Sequence, residues 1–140
     1  MTNHLYLIDS SVWIRLLRAS PQWLEAASRV EGLVAEGTAA TNDLVRVEVL
    51  VGSRDETQFV RVNSTFQSLN NLPIRRTTWD SAAQLGFSLR RSGATVPPAD
   101  LIIAASALEH EATVVHADKH FLTIAQHSPL RVESYSEAAA

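Results

Sequence analysis

The amino-acid sequence predicts an α/β fold of three layers, in which a central, mainly parallel sheet lies between helices on both of its faces. Two observations support this prediction. Short apolar runs of strand length alternate with longer segments in which apolar residues recur every three or four positions. The chain of 140 residues also has the size of one ordinary domain. We therefore expect a single domain over residues 1–140, with a flexible tail from about residue 134 to residue 140.

The first half of the chain predicts two strands and four helices. The apolar run that ends at Ile8 indicates a buried strand, which would deliver Asp9 to the edge of the sheet. Ser20-Pro21 is typical of a helix start, and Gly37 of a helix end. After the first strand, the predicted elements are helices over 11–18 and 21–36, a strand over 38–41, and helices over 43–52 and 54–69.

The second half predicts three strands and three helices. One helix is apolar almost all round, so we expect it to be buried on more than one side. The strand over 113–116, before Asp118, has the clearest strand pattern. The strand over 73–77 is polar, which is typical of a sheet edge. The elements are a strand over 73–77, a helix over 78–91, the apolar helix over 99–110, a strand over 113–116, a helix over 119–126 and a short strand over 130–132.

The composition excludes several kinds of site. The sequence has no cysteine, so a bound metal has only oxygen and imidazole ligands available. No apolar run approaches the ~20 residues of a membrane-spanning helix, and the start of the chain lacks a signal-peptide pattern, so we expect a cytoplasmic protein. The formal net charge of −3 argues against a protein that coats nucleic acid by bulk attraction. This net charge does not exclude a nuclease, because bound cations reverse the local charge of active-site carboxylates.

Four acidic residues occupy positions that suit a ligand site at one edge of a parallel sheet. Asp9 and Asp118 each follow a strand, Asp100 lies in the first turn of the apolar helix, and Glu48 lies in mid-helix among valines and a leucine. Each acid also has a structural explanation. Asp9 and Asp118 would cap helices, Asp100 would complement a helix dipole, and Glu48 would be a solvated helix residue.

Together the four acids favour a metal site. Carboxylates that converge on one sheet edge raise one another's pKa, so the arrangement makes physical sense mainly if a cation neutralises them. Oxygen ligands without thiolates select Mg²⁺ or Mn²⁺, which also coordinate phosphate oxygens. Such ions activate water and stabilise the charge that develops on a phosphodiester. The residues therefore point to phosphodiester hydrolysis.

Four motifs carry these acids along the chain. They are Leu7-Ile8-Asp9-Ser10-Ser11-Val12-Trp13-Ile14, then Glu48 with Gly52 four residues on, then Asp100-Leu101-Ile102-Ile103-Ala104-Ala105-Ser106-Ala107, and finally His116-Ala117-Asp118-Lys119-His120-Phe121. In order, spacing and strand or helix context, this set resembles the PIN-domain nucleases. Within that family it is similar to the VapC ribonuclease toxins of bacterial toxin–antitoxin pairs. The resemblance spans almost the whole chain.

The resemblance implies a PIN-like sheet with strand order 3-2-1-4-5 and Mg²⁺-dependent endonucleolytic cleavage of RNA. It also implies a homodimer, and inhibition by a VapB-type antitoxin in a heterotetramer or larger complex. Asp9, Asp100 and Asp118 carry over as catalytic, metal-binding carboxylates, and Glu48 completes the acidic cluster. Ser11 falls where the family often has a hydroxyl that orients the site.

One position departs from the family's pattern. The last motif often has a second acid two residues after the first, and here that residue is His120. His120 becomes a candidate contact to RNA phosphate, with an exposed polar residue as an equal alternative. Lys119 and Arg15 are further candidate RNA contacts. Further arginines are candidate RNA contacts, although arginines on amphipathic helices usually lie on solvated faces. They are Arg46, Arg75, Arg76, Arg90 and Arg91.

Other classes of protein explain the sequence less well. A phosphatase of the haloacid-dehalogenase type needs a second aspartate two residues after the first, and this chain has Ser11 there. A receiver domain needs a late lysine at a strand end, whereas Lys119 follows an acid at a helix start. Two alternatives stay open. One is a catalytically weak PIN-like protein that binds RNA or an antitoxin, and the other is a related metal-dependent DNA nuclease.

Overall fold

The computed structural model describes residues 3–136 of the chain, which form five strands and seven α-helices. The strands are β1 (Tyr6–Ile8), β2 (Ala39–Thr41), β3 (Asn70–Asn71), β4 (Thr113–His116) and β5 (Arg131–Ser134). The helices are α1 (Ser10–Leu17), α2 (Leu24–Glu36), α3 (Asp43–Leu50), α4 (Glu56–Gln67), α5 (Arg76–Arg91), α6 (Pro98–Glu109) and α7 (Lys119–Gln126). A 3₁₀ turn, Pro21–Trp23, precedes α2, so this helix begins later than predicted. The other predicted helix ends lie within two residues of the observed ones.

The five strands form one parallel sheet in the order β3-β2-β1-β4-β5, which confirms the expected strand order. The central strand β1 pairs with β2 on one side and with β4 on the other. Leu7 lies opposite Ala40 and Val114, and all three side chains are fully buried. Because the strands are parallel, the residues that follow β1, β2 and β4 meet at the same edge of the sheet.

Helices cover both faces of the sheet, as predicted for a three-layer α/β/α fold. The connections β1–β2 and β2–β3 run in one direction across the sheet, and β3–β4 and β4–β5 run in the other. Since such connections are right-handed, α1–α4 lie on one face and α5–α7 on the other. The packing agrees, because α1 contacts α2 and α3, while α6 contacts α5 and α7. Among the described residues, no helix has the length and apolar character needed to cross a membrane.

The helix α6 is the most deeply buried of the chain. Every residue from Leu101 to Ala107 is buried, as its apolar sequence predicts. α5 approaches it closely at Gly86, where an added Cβ atom would lie 2.6 Å from Cδ1 of Leu101. Because α6 ends close to the start of β4, its first turn lies at the opposite edge of the sheet, where the strands end. This first turn contains Asp100.

The third strand differs from the prediction, and the strand expected over 73–77 is wrong. Arg76 already begins α5, whose first turn is closed by a 3.0 Å hydrogen bond from the backbone nitrogen of Arg75 to Oγ1 of Thr78. The observed strand β3 is two asparagines long and pairs with β2. Asparagine is depleted in strands, so the sequence pattern carried no signal at this edge.

The last strand is longer than predicted and reaches Ser134. Beyond it, the backbone nitrogen of Tyr135 donates a 2.7 Å hydrogen bond to the carbonyl of His116, and Ser136 is buried. Residues 134–136, where the sequence predicts the start of the flexible tail, therefore lie against the sheet in this structure. Residues 137–140 lie outside the described part of the chain.

Asn42 fixes the start of α3, the helix that carries Glu48. Its side chain is fully buried, and its Oδ1 accepts a 2.9 Å hydrogen bond from the backbone nitrogen of Val45. It follows β2 directly, as Asp9 follows β1. A polar cap at the end of a central strand therefore sets the direction in which α3 leaves the sheet.

We expect Asn42→Ala to lower the free energy of unfolding by about 1–2 kcal/mol, because the cap of α3 is lost. Urea denaturation followed by circular dichroism measures this change. Asn71→Ala is the matched control, since Asn71 is exposed on the edge strand and should change stability by less than about 0.5 kcal/mol. Equal stability of the two variants would show that the cap of α3 contributes nothing.

Candidate active site

Asp9 lies where β1 ends, and its side chain is only 2% exposed. Its backbone nitrogen donates a 2.9 Å hydrogen bond to the carbonyl of Val115 in β4. Its Oδ2 caps α1, because it accepts hydrogen bonds from the backbone nitrogen and the hydroxyl of Ser11. Its Oδ1 is buried and has no hydrogen-bond partner within residues 3–136. Asp9 thus acts as a helix cap and still keeps one oxygen free.

Ser11 connects the ends of the two central strands. While its Oγ donates to Asp9, it also accepts a 2.9 Å hydrogen bond from the backbone nitrogen of Ala117, which follows β4. Because Ala117 immediately precedes Asp118, this hydroxyl fixes two predicted site acids relative to each other. The structure places Ser11 where a hydroxyl that orients the site is expected.

Glu48 reaches the site from α3. The apolar residues around it in the sequence divide between the core and the surface, since Val49 is buried while Val47 and Val51 are 58% and 77% exposed. Its Oε1 instead accepts a 3.0 Å hydrogen bond from the hydroxyl of Ser10, at the start of α1. Ser10 was not predicted as a site residue, and its place next to Asp9 is the signal that points to it.

Asp100, Asp118 and His120 form the tightest cluster of the site, with one ligand atom from each lying within 4.8 Å of the others. Nδ1 of His120 lies 2.8 Å from Oδ2 of Asp100 and 3.0 Å from Oδ1 of Asp118. Asp118 also caps α7, since its Oδ1 accepts a 2.9 Å hydrogen bond from the backbone nitrogen of His120. Asp9 and Glu48 lie outside this tightest group. The structure thus brings His120, the departure from the family's pattern, into direct contact with two predicted site acids.

Burial and the nearby carboxylates disfavour the ionised forms of Asp9 and Asp100. Burial raises the pKa of Asp9 to about 6; the hydrogen bonds from Ser11 oppose this rise, and the charges of Asp100 and Glu48 add to it. Burial also raises the pKa of Asp100, against the effect of its hydrogen bond with His120. A cation bound between these groups would relieve the repulsion.

His116 was not predicted as a site residue, but its side chain is hydrogen-bonded to the backbone of Asp118. Its side chain is fully buried at the end of β4, and burial lowers its pKa to about 4. The imidazole is therefore neutral near pH 7, and its Nδ1 accepts a 3.3 Å hydrogen bond from the backbone nitrogen of Asp118. His116 positions the backbone from which the Asp118 carboxylate projects.

The donor set fits a hard divalent cation. Asp9, Glu48, Asp100 and Asp118 supply carboxylate oxygens, which Mg²⁺ and Mn²⁺ prefer. The buried Oδ1 of Asp9 has lost its water without gaining a hydrogen-bond donor among the described residues, which is costly for an ionised oxygen unless a cation binds it. Helix capping and metal binding are compatible here, because the cap of α1 uses the other oxygen of Asp9.

The three candidate RNA contacts share one cleft. Arg15, Lys119 and His120 line a cleft of about 350 Å³ together with Ser11 and Asp118. Nη1 of Arg15 donates a 3.1 Å hydrogen bond to the carbonyl of Ser11, so the guanidinium is held at the wall of this cleft. Lys119 is exposed at the start of α7. Positive charge therefore lies in the same cleft as Asp118.

The other arginines lie in different surroundings. Arg90 lines a groove between α5 and α6 that His120 also lines. Arg46 is engaged in a 3.1 Å hydrogen bond with a side chain of α4. Arg75 and Arg76 lie at the start of α5, which is hydrogen-bonded to the last turn of α6 and so lies away from Asp100.

Comparisons with known proteins agree with this geometry. A family model described as PIN domain matches residues 6–126. A VapC ribonuclease of Mycobacterium bovis and ribonuclease VapC11 of Mycobacterium tuberculosis are each 31% identical over 135 residues, covering 94% of this chain and 99% of theirs. Among solved structures, a chain of VapBC2 from Rickettsia felis bound to a promoter DNA fragment has a TM-score of 0.76 at 19% identity, covering 94% of this chain and 98% of that chain.

These matches define the class of protein. The chain belongs to the PIN domain family and, within that family, to the VapC proteins. The resemblance seen in the four acidic motifs is therefore confirmed. The similarity to the Rickettsia felis chain supports the fold alone, since that identity is low.

We expect Asp9→Asn to stabilise the metal-free protein. Because the pKa of Asp9 is raised from 3.8 to about 6, the folded state holds the proton more tightly than the unfolded state, and stability falls as pH rises through this range. Removing the charge should therefore raise stability, and the gain should be larger at pH 7.5 than at pH 4.5 by about 2 kcal/mol. Urea denaturation in chelator at both pH values measures this gain.

The control for this variant is Asp80→Asn, which changes the same charge at an exposed position of α5. It should alter stability by less than about 0.5 kcal/mol at either pH. A loss of stability in Asp9→Asn at pH 7.5 would contradict the claim that this carboxylate is held unfavourably without a cation.

Proposed function

We propose that this chain is a Mg²⁺-dependent endoribonuclease toxin that hydrolyses RNA phosphodiester bonds and is neutralised by a VapB-type antitoxin, with Mn²⁺ as the alternative ion. The observation that carries the proposal is the buried, partly unpartnered carboxylate of Asp9, whose pKa is raised by the nearby charges of Asp100 and Glu48 as well as by burial. The names of the similar mycobacterial ribonucleases support RNA as the substrate. The Rickettsia felis structure, a VapBC complex, agrees with an antitoxin partner.

The proposed assembly and location follow the same resemblance. The chain would act as a single domain, form a homodimer, and bind its antitoxin in a heterotetramer or larger complex. It would act in the cytoplasm, where RNA substrates are present. Size-exclusion chromatography with light scattering, on the toxin alone and with its antitoxin, measures these assemblies.

Four acids would hold the metal. Asp9 and Asp100 are the proposed ligands of the principal ion, while Asp118 and Glu48 would bind it directly, through water, or bind a second ion. When bound, a divalent ion activates water and neutralises the charge that develops on the phosphodiester. Ser11 keeps the Asp9 carboxylate in place, and its second hydrogen bond keeps the Asp118 segment at a fixed distance.

Other residues of the chain would bind and orient the RNA. Arg15 and Lys119 lie on the wall of the cleft that Asp118 and His120 also line. Their positive charges would contact backbone phosphates on either side of the cleaved bond. Arg15 is held by its hydrogen bond to the carbonyl of Ser11, so its guanidinium is positioned before RNA binds. Contacts of this kind fix the register of the strand and carry no base specificity.

We expect cleavage of a labelled RNA to require a divalent ion and the acidic ligands. Mg²⁺ should support cleavage, EDTA should abolish it, and Asp9→Asn or Asp100→Asn should reduce the rate by more than about 100-fold. Asp80→Asn, exposed on α5, is the matched control and should retain full activity. Gel analysis of the cleavage products measures each rate.

The same assay separates the alternatives. Activity that persists in EDTA or in Asp9→Asn would rule out the metal–carboxylate mechanism. Cleavage of single-stranded DNA of the same sequence at the RNA rate would support a DNA nuclease instead. Metal binding without cleavage of total cellular RNA would support a protein that binds RNA or antitoxin and does not cut.

A further inference from the structure

We propose that His120 is itself a metal ligand through Nδ1, and that this nitrogen shifts the site's preference from Mg²⁺ towards Mn²⁺. The proposal rests on the proposed metal-dependent function and concerns the residue that replaces the family's usual second acid. It differs from the role of phosphate contact expected from the sequence. The nitrogen would complete the ligand set that Asp100 and Asp118 begin.

The geometry around Nδ1 matches a metal site. Nδ1 of His120 lies 2.8 Å from Oδ2 of Asp100 and 3.0 Å from Oδ1 of Asp118. In an octahedral site with ligands about 2.1 Å from the ion, neighbouring ligand atoms are about 3.0 Å apart. Both distances from Nδ1 therefore match those between neighbouring ligands of one ion, and the three ligand atoms lie within 4.8 Å of one another.

Two elements hold these atoms together independently of any ion. Asp100 is in the first turn of the buried helix α6, and its side chain is only 14% exposed. Asp118 and His120 flank the start of α7, where the backbone nitrogen of His120 donates to the Asp118 carboxylate. The imidazole therefore projects towards Asp100 from a backbone position that the cap of α7 fixes, although the side chain itself is 42% exposed.

An imidazole ligand changes the affinity of the site for Mg²⁺ and for Mn²⁺ by different amounts. Mg²⁺ prefers a shell of hard oxygen atoms and keeps several waters. Imidazole is a ligand of transition-metal ions, and Mn²⁺, although the weakest binder of the first-row series, accepts a nitrogen ligand more readily than the harder Mg²⁺ does. Replacing one carboxylate by a neutral imidazole also removes a negative charge. This lowers the affinity for Mg²⁺, which is bound mainly through electrostatic attraction to the carboxylates. The histidine should therefore cost Mg²⁺ more affinity than Mn²⁺.

The same distances would also arise if His120 only donated a hydrogen bond to the two acids. In that case Nδ1 would keep its proton when the ion binds, and the imidazole would act as a positioning residue. A ligand must instead lose this proton and present its lone pair, with the remaining proton on Nε2. The two roles therefore differ in whether nitrogen is bonded to the ion.

The test uses the full chain, stripped of metal with chelator and dialysed at pH 8. Isothermal titration calorimetry with MnCl₂ or MgCl₂ alone gives both dissociation constants for the native sequence, for His120→Asp and for His127→Asp. His127 is the control because it is exposed at the other end of α7. Pulsed electron paramagnetic resonance of the Mn²⁺ complexes then detects directly bonded nitrogen.

We expect His120→Asp to lower the preference for Mn²⁺ over Mg²⁺ by about tenfold or more, because it restores an all-oxygen site. The nitrogen coupling should be present in the native protein and in His127→Asp, and absent in His120→Asp. An unchanged preference, or a native Mn²⁺ complex without nitrogen coupling, would overturn the proposal. RNA cleavage in those same samples would show that the proposed function survives, whereas failure to bind either ion would overturn both.

Discussion

The burial of the Asp9 carboxylate is the constraint on which the site depends. The central strand β1 is covered on both faces, and the residue that follows it is also withdrawn from water. Asp9 is 2% exposed and has a raised pKa, so the fold alone gains nothing from its charge. The hydroxyl and amide of Ser11 offset part of this cost through one oxygen. The other oxygen has no hydrogen-bond partner among the described residues, and the proposed cation would bind there and so link the stability of the sheet edge to metal binding.

Most of the fold could be predicted because its central elements have strong local patterns. β1, β4 and α6 are apolar and buried, and Gly37 ends α2 in the left-handed conformation that glycine favours. The errors are at the edges. β3 consists of two asparagines whose pairing depends on the neighbouring strand, and the end of β5 is held by a backbone hydrogen bond to β4. Such long-range contacts leave no periodic pattern in the sequence.

The positions of the acids were predictable from the sheet edge and that of Ser11 from the resemblance, but the other supports of the acids were not. Asp9 and Asp118 follow strands, so their approximate convergence follows from parallel pairing. The hydrogen bond from Ser10 to Glu48 joins α1 to α3, and the support of Asp118 by His116 depends on complete burial of the imidazole. His120 was identified as a departure from the motif, and its contact with Asp100 depends on how α6 meets α7. These contacts belong to the packing of helices and not to local sequence.

The most direct test of the metal site is to locate the ion by anomalous diffraction from crystals grown with Mn²⁺. We expect a strong anomalous peak bonded to the carboxylates of Asp9 and Asp100, the proposed ligands of the principal ion. The Oδ1 atom of Asp9, which has no hydrogen-bond partner among the described residues, should be a ligand. A peak bound elsewhere, or full Mn²⁺ occupancy with Asp9 uncoordinated, would contradict the claim that this buried carboxylate is kept for a cation.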